Sequence, residues 1–174
     1  MPPPVGVTTH HVESAAQLQW ALGNAAKGAD VIVMTAAVAD YRPAREAKEK
    51  LKRGELGAKT SIELVANPDL LAELGKQRKG STPLLVGFAA ETEHVEEHAA
   101  EKMKGKRVDM MVANDVSAAD SGFEVDTNRA ILLYSSGSRE ETPLLDKHEL
   151  ADLLLDRVAA VLADDPRGEN TPHE

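Results

Sequence analysis

Several features that are common in proteins are missing from this sequence, and each absence excludes some classes of function. The 174 residues include no cysteine, which excludes disulfides and thiolate metal sites and makes a reducing, cytoplasmic location the simplest expectation. No apolar run approaches the roughly 20 residues that span a bilayer, so no membrane partner is expected. Residues 1–4 (MPPP) lack the basic segment and apolar core of a signal peptide.

Positive charge is also scarce. Lysine and arginine number 20 against 29 aspartate and glutamate residues, which gives a net charge of −9. Broad binding of nucleic acid needs a basic face, so no nucleic-acid partner is expected. The glycine-rich GxGxxG turn and the Walker lysine are absent as well, which argues against the usual NAD(P) and P-loop sites. A polyphosphate ligand would therefore depend on a local cluster of basic side chains.

Apolar runs that alternate with helical patterns predict the fold. Val31–Met34 and residues 83–89 and 108–113 suit strands buried on both faces of a parallel sheet. Apolar stripes predict helices over residues 14–28, from Asn67 onward and over residues 93–103. Residues 5–12 and 62–66 alternate as short strands do. The pattern indicates an α/β fold, a Rossmann-like, doubly wound, mostly parallel sheet.

Polar residues mark where the predicted helices begin. Ser14 and Gln17 have the spacing of a capping box. In the sequence NPD, Asn67 is the expected N-cap, Pro68 the first helical residue and Asp69 an acid in the first turn.

The final third of the chain has a different pattern. Residues 128–134 and 140–144, joined by the turn at 135–138, predict a β-hairpin. Asp146 and Glu149 then form a second capping box, which opens a final helix. We expect one domain over residues 1–163 and a disordered tail over residues 164–174.

The strongest candidate site is the edge of the sheet where the predicted strands end. Ligands of doubly wound sheets lie outside the carboxyl ends of the strands, here near residues 35–36, 88–89 and 113–114. Between the first two of these ends, residues 40–59 carry seven basic and four acidic side chains and read as a mobile basic loop.

Five short motifs at these positions resemble those of the CTP-dependent phosphopantothenoylcysteine synthetases (phosphopantothenate–cysteine ligases). The motifs are AAVADY at 36–41, KLKR at 50–53, NPDL at 67–70, GFAAET at 87–92, and AND at 113–115 followed by GF at 122–123. The second motif has arginine where the family has a last lysine. Five motifs in the right order are far more specific than any one of them. The resemblance covers the chain up to its tail.

The resemblance implies a reaction in two halves. The carboxylate of 4′-phosphopantothenate attacks the α-phosphate of CTP, and cysteine then attacks the acyl-cytidylate. It implies Lys50 as the catalytic residue and nucleotide contacts by a set of residues spread over the motifs: Met34, Thr35, Ala36, Asp40, Lys50, Asn67, Pro68, Asp69, Leu70, Phe88, Lys102 and Lys106. Mg²⁺ is implied as a cofactor, with ligands that the sequence does not identify.

Each of these residues also has an ordinary structural interpretation. Lys50 belongs to a segment that is typical of solvated basic loops. Lys102 and Lys106, spaced i, i+4, could offset a helix dipole instead of projecting together toward phosphate. Asn67 and Asp69 could simply cap a helix, and Phe88 could be a core residue.

The family pattern includes a glycine-rich segment that precedes the region where this chain begins, and that segment is not found here. The alternative function is therefore a CTP-binding module that holds the nucleotide without complete turnover. The resemblance also implies a homodimer, with residues 114–134 near the partner and the pantothenate site. It further implies an upstream decarboxylase domain that would bind FMN, a cofactor not expected on this chain.

One competing signal concerns zinc. His94, Glu97 and His98 fit the HxxEH pattern of inverted zinc peptidases, with both histidines on one predicted helix face. No third ligand is evident and the surroundings are those of a solvated helix. Zinc catalysis is therefore not expected.

Overall fold

A five-stranded mixed sheet lies at the centre of the molecule in a computed structural model, which describes residues 4–47, 49–115 and 127–164. The strands in this part of the chain are β1 Val31–Met34, β2 Tyr41–Pro43, β3 Leu64–Ala66, β4 Leu84–Glu91, β5 Met110–Asp115, β6 Thr127–Asn128, β7 Ala130–Tyr134, β8 Arg139–Glu141 and β9 Leu145–Asp146. The helices are α1 Ala15–Ala25, α2 Arg53–Leu56, α3 Leu70–Gln77, α4 Val95–Lys106 and α5 Lys147–Ala163.

The main sheet has the order β1-β4-β5-β7-β8. The first three strands are parallel, with Met34 opposite Gly87 and Ala89 opposite Ala113. The β7–β8 hairpin adds to β5 in antiparallel fashion. This arrangement confirms the predicted α/β class, the C-terminal hairpin and the final helix.

Helices cover both faces of the sheet, as the doubly wound pattern requires. On one face, α3 and α4 bury Leu71, Leu74 and Met103 against the sheet, and α1 adds the half-buried Leu22. On the other face, α5 buries one stripe of apolar side chains, Leu150, Leu154 and Val158. Among the helices in the described part of the chain, none is long and apolar enough to cross a membrane.

The start of α5 follows the predicted capping box in full. The Asp146 carboxylate accepts hydrogen bonds from the His148 and Glu149 amides at 2.8 Å, and the Glu149 side chain accepts one from the Asp146 amide at 3.0 Å. At α1, the Ser14 hydroxyl accepts from the Gln17 amide, but the Gln17 side chain accepts from the amide of Glu13 rather than that of Ser14.

Two strand predictions are wrong. Residues 5–12 form no strand in the structure. In the described residues strand β1 pairs only with β4 and so lies at the edge of the sheet. It is not buried on both faces, because Ile32 packs in the core on the α3–α4 face whereas Val33, on the opposite face, is 38% exposed.

The predicted basic loop is more structured than expected. Tyr41–Pro43 and Leu64–Ala66 pair as a separate antiparallel ribbon, with Tyr41 opposite Ala66. Ala44 extends the ribbon by donating its amide to the Glu63 carbonyl at 2.9 Å. Between these points the chain forms only the one-turn helix α2 in its described residues.

A buried ion pair lies at the amino ends of the parallel strands and connects the segments that lead into them. Arg78, just after α3, pairs with Asp109, just before β5, and both side chains are at most 15% exposed. The Asp109 carboxylate also accepts from the Leu85 amide at 2.8 Å, and Arg78 donates to the carbonyls of Pro83 and Arg107 at 3.1 and 2.7 Å.

Candidate functional site at the carboxyl edge of the sheet

A cavity of about 200 Å³ opens at the opposite end, beyond the carboxyl ends of β1 and β4. Its walls come from the loop after β1, the turn that leads into α3, the end of β4 and the last turn of α4. The residues that line it are Met34, Ala36, Ala37, Val38, Ala39, Asp40, Asn67, Pro68, Asp69, Leu70, Leu71, Phe88 and Lys106. Three motifs far apart in the chain therefore meet around one space.

Nine of the twelve predicted nucleotide-contact residues line this cavity, and three do not. Thr35 is exposed between two lining residues. Lys50 is exposed in the segment between β2 and α2, and Lys102 lies one helical turn before the lining residue Lys106. Ala37, Val38, Ala39 and Leu71 also line the cavity and were not predicted as site residues.

Asn67 joins two walls of the cavity. Its side-chain amide donates to the Ala39 carbonyl at 2.7 Å, and its backbone amide donates to the Asp40 carbonyl at 2.7 Å. Its side-chain oxygen accepts from Arg42 at 3.0 Å. Asn67 thus fixes the loop after β1 against the entry to α3, and it does not cap the helix as predicted.

Asp69 is the residue that caps α3, because the helix begins at Leu70 rather than at Pro68. One carboxylate oxygen accepts from the Ala72 amide at 3.0 Å, and the other lies 3.1 Å from the Lys106 ammonium. Partial burial raises the pKa of Asp69, but the hydrogen bonds from Ala72 and Lys106 outweigh it, so that its pKa lies below the ordinary value. The Asp69 carboxylate thus occupies the N-terminus of α3.

The two predicted lysines of α4 take different partners. Lys106 reaches the cavity and pairs with Asp69, whereas the Lys102 ammonium lies 2.5 Å from a carboxylate oxygen of Glu91, at the end of β4. The side chain of Glu91 is only 13% exposed, whereas that of Lys102 is 47% exposed. The expectation that both lysines project together toward phosphate is therefore not met in this structure.

Close packing of two helices brings Lys106 to the cavity. A methyl group added to Gly75 in α3 would lie 2.0 Å from the Lys106 carbonyl oxygen, so the backbones of α3 and α4 are in direct contact at this point. Only glycine permits such an approach. The position of Gly75 in α3 therefore sets the distance between Lys106 and Asp69.

Phe88 belongs to both the cavity and the core. It lines the cavity and packs against the α5-side core, while its neighbour Ala89 is buried in the core on the other face. Because side chains alternate along a strand, the Phe88 ring lies on the α5 side of the sheet edge.

The two histidines of the pattern lie side by side, as expected, but pair with different carboxylates. His94 precedes α4 as its N-cap in a left-handed conformation (φ 48°), and its ring centroid lies 5.9 Å from that of His98. His94 contacts Glu97 at 3.2 Å and His98 contacts Glu91 at 3.6 Å. In residues 4–47, 49–115 and 127–164, no three His, Cys, Asp or Glu side chains are grouped to hold a metal ion.

The fold and the site together define the class of protein. It is a doubly wound α/β domain with a polar cavity at the carboxyl edge of its sheet and a lysine–aspartate pair in the cavity wall. Residues 1–162 match the family described as DNA/pantothenate metabolism flavoprotein C-terminal domain. The chain belongs to that family.

Named relatives and a solved structure agree with this assignment. The chain is 41% identical over 168 residues to the coenzyme A biosynthesis bifunctional protein CoaBC of Mycobacterium bovis, and 37% identical over 150 residues to that of Bacillus subtilis. These matches cover 92% and 86% of this chain but 40% and 36% of the relatives. The chain therefore spans about two fifths of their length.

The crystal structure of the C-terminal domain of a CoaBC protein has the same fold. It superposes with a TM-score of 0.76 at 36% identity, over 95% of this chain and 71% of that one. The family resemblance found from the five motifs is confirmed.

Proposed function

We propose that this chain carries the ligase half of coenzyme A biosynthesis, joining 4′-phosphopantothenate to cysteine at the expense of CTP. The observation that carries the proposal is the convergence of three motifs on one cavity, where nine of the residues assigned to nucleotide contact lie together. Membership of the pantothenate-metabolism family supports the same reaction. CTP use, the acyl-cytidylate and the identity of the catalytic residue are parts of the proposal.

The reaction sets clear requirements for the site. A carboxylate oxygen of 4′-phosphopantothenate bonds to the α-phosphorus of CTP as pyrophosphate leaves. The cysteine amine then bonds to the activated carbonyl carbon, and CMP leaves with the electron pair of the broken bond. The first step brings together two anions, so it needs cations and precise positioning.

Lys106 is the described cation best placed for that task. It is the only lysine or arginine that lines the cavity in the described residues, and its side chain is 30% exposed. The surrounding protein has a net charge of −9, so a local positive group is needed to attract a triphosphate. Its partner Asp69 keeps the ammonium oriented toward the cavity wall until phosphate competes for it.

Magnesium fits this cavity as a companion of the phosphates. Mg²⁺ is usually held by one or two carboxylates together with substrate phosphates and water. Asp40 lines the cavity and can supply such a carboxylate, whereas both oxygens of Asp69 already accept hydrogen bonds. Asp40 is thus the residue that would hold the ion, which would supply charge neutralisation to the triphosphate.

Two measurements test the proposal. Calorimetric titration with CTP and with ATP should show preferential binding of CTP in the presence of Mg²⁺. A pyrophosphate-release assay with 4′-phosphopantothenate then reports the first half-reaction. Binding without release would leave the chain as the CTP-binding module considered above, and absence of both would reject the proposed function.

Lys50 is predicted to act in the first half-reaction. It lies outside the cavity, in the segment bounded by the β2–β3 ribbon, and would have to move to reach the phosphates. Lys50→Gln should keep CTP affinity within about tenfold and abolish acyl-cytidylate formation. Lys59→Gln, which removes an exposed lysine of the same segment, is the matched control and should remain active. Normal turnover by Lys50→Gln would remove this residue from the mechanism.

The proposal extends to the whole protein. Because the relatives are bifunctional and this chain spans about two fifths of their length, we propose an upstream flavin-dependent decarboxylase domain that binds FMN. We also propose a cytoplasmic homodimer. Sedimentation velocity would test the dimer, and a concentration-independent monomer mass would reject it.

A further inference from the structure

Asn114, near the end of β5, has a buried polar atom that the fold does not use. Its side-chain oxygen is inaccessible to solvent and has no hydrogen-bond partner among the described residues. Folded proteins pair nearly all such atoms, because a buried acceptor without a donor is unfavourable. An unpaired buried atom therefore calls for an explanation, such as a functional role or a bound water or ion.

The neighbouring strands offer Asn114 no side-chain donor. In the sheet register, Asn114 stands opposite Ala90 of β4 on one side and Ala130 of β7 on the other. Alanine carries no polar side-chain atom.

The register also places Asn114 beside the cavity residue Phe88. Phe88 stands opposite Val112, and Asn114 follows Val112 by two residues. Side chains two apart on a strand share a face, so Asn114 and Phe88 are diagonal neighbours on the α5 side of the sheet edge. Lys106 and Asp69 line the cavity from the other side, where α3 and α4 lie.

We infer that Asn114 is a substrate-binding residue whose side-chain oxygen accepts a hydrogen bond from an N–H or O–H group of a substrate bound alongside Phe88. The inference rests on the proposed ligase function. Phosphate oxygens are acceptors and cannot fill this role. The donor is therefore the exocyclic amine of cytosine, the amine of cysteine, or a hydroxyl or amide of 4′-phosphopantothenate.

The variant Asn114→Leu separates a ligand-binding role from a structural one. Leucine has the same branching at Cγ and removes an oxygen that has no partner, so the melting temperature of the ligand-free chain should stay the same or rise. Substrate binding or turnover should fall by about tenfold, as expected for one lost hydrogen bond.

Asn128→Leu is the matched control. Asn128 is a buried asparagine of strand β6, 7% exposed, and it does have an interaction partner. Its replacement should lower the melting temperature. Opposite signs for the two leucine variants would mark Asn114 as the residue whose polar group serves the ligand rather than the fold.

Three comparisons identify the donor. A loss of CTP affinity in Asn114→Leu with no change for UTP, which has an oxygen in place of the amine, assigns the donor to cytosine. A raised KM for cysteine alone assigns it to the amino acid. A raised KM for 4′-phosphopantothenate alone assigns it to the pantothenate portion.

Two results would overturn the inference while leaving the proposed function intact. One is a variant that binds all three substrates and turns over like the wild type. The other is a variant that melts at a lower temperature and loses activity only in proportion to the folded protein lost, because the Asn114 amide would then serve the fold. A wild-type chain that binds none of the substrates would reject the proposed function first, and this inference with it.

Discussion

The two ends of the parallel strands use charge in opposite ways. At the amino ends, Arg78 and Asp109 are nearly buried and their hydrogen bonds are satisfied by each other and by backbone groups. At the carboxyl ends, Lys106 and Asp69 form a pair that is 30% and 50% exposed, beside an open cavity. The first pair is committed to the fold, whereas the second can exchange partners with a ligand.

The contrast teaches where to look for function in such a sheet. Each end of the sheet carries a close ion pair, so an ion pair alone does not tell the functional end from the structural one. The difference lies in what remains unsatisfied. At the amino end the charged pair has its hydrogen bonds satisfied within the fold, while the carboxyl end combines small side chains, a partly exposed lysine and the buried oxygen of Asn114.

The largest effect is expected from breaking the buried pair. Asp109→Ala leaves the Arg78 guanidinium buried without its carboxylate and should lower the free energy of unfolding by about 3–5 kcal/mol, measured by urea denaturation. Glu96→Ala is the control, because it removes an exposed pair with Arg139 whose side chains are 48% and 45% exposed. It should cost less than about 1 kcal/mol. Equal effects of the two substitutions would contradict the conclusion that the buried Arg78–Asp109 pair stabilises the fold more than an exposed pair does.

A smaller effect is expected where the helices meet. Gly75→Ala puts a methyl group against the Lys106 carbonyl and should destabilise the fold by about 1–3 kcal/mol and weaken nucleotide binding, since Lys106 must shift. Gly105→Ala, in α4, meets no atom within 4 Å. That control should stabilise the helix by about 0.5–1 kcal/mol. If Gly75→Ala bound nucleotide normally, the helix contact would not determine the site.

The two lysines of α4 should differ in their effect on affinity. Lys106→Met should weaken CTP binding by about tenfold, since it removes a charged donor from the cavity wall. Lys102→Met should have a markedly smaller effect, because Glu91 holds that ammonium outside the cavity. Calorimetric titration compares them directly. A larger loss for Lys102→Met would show that this lysine leaves Glu91 when the nucleotide binds.

The smallest effect concerns pH. Since the folded-state pKa of Asp69 is depressed, its contribution to stability is present above the unfolded pKa, about 3.9, and is lost as pH falls through the folded value. Its side chain is half exposed, so this contribution should be under about 1 kcal/mol. Urea unfolding at pH 5 and pH 3 should show Asp69→Asn losing less stability than the wild type over that interval. Identical pH dependence would exclude the linkage.

Short sequence patterns correctly predicted the elements that are stabilised by contacts between residues close together in the chain. The Asp146 and Glu149 capping box was read correctly because both hydrogen bonds join residues three apart. The buried stripe of α3, Leu70, Leu71 and Leu74, followed from helical spacing. The family motifs likewise identified most of the residues that meet at the cavity.

Features that depend on spatial neighbours were misread. The apolar run of β1 does not reveal that the strand lies at an edge, and β2 contains Pro43 and exposed residues that give no strand pattern without β3. Asn67 and Asp69 are both good capping residues, and only the structure distinguishes which one caps. Spacing placed Lys102 beside Lys106, but Glu91, eleven residues earlier, decides where Lys102 points.

Because of the β2–β3 ribbon, the basic segment between Ala44 and Glu63 can change in length without disturbing the main sheet. Because Ala44 and Glu63 are hydrogen-bonded, the chain leaves and returns at one place. Closing a loop costs only about 0.6 kcal/mol more for each doubling of its length. Insertions and deletions between these two residues are therefore inexpensive for folding. The number and reach of the basic side chains there can therefore change at little cost to the stability of the sheet.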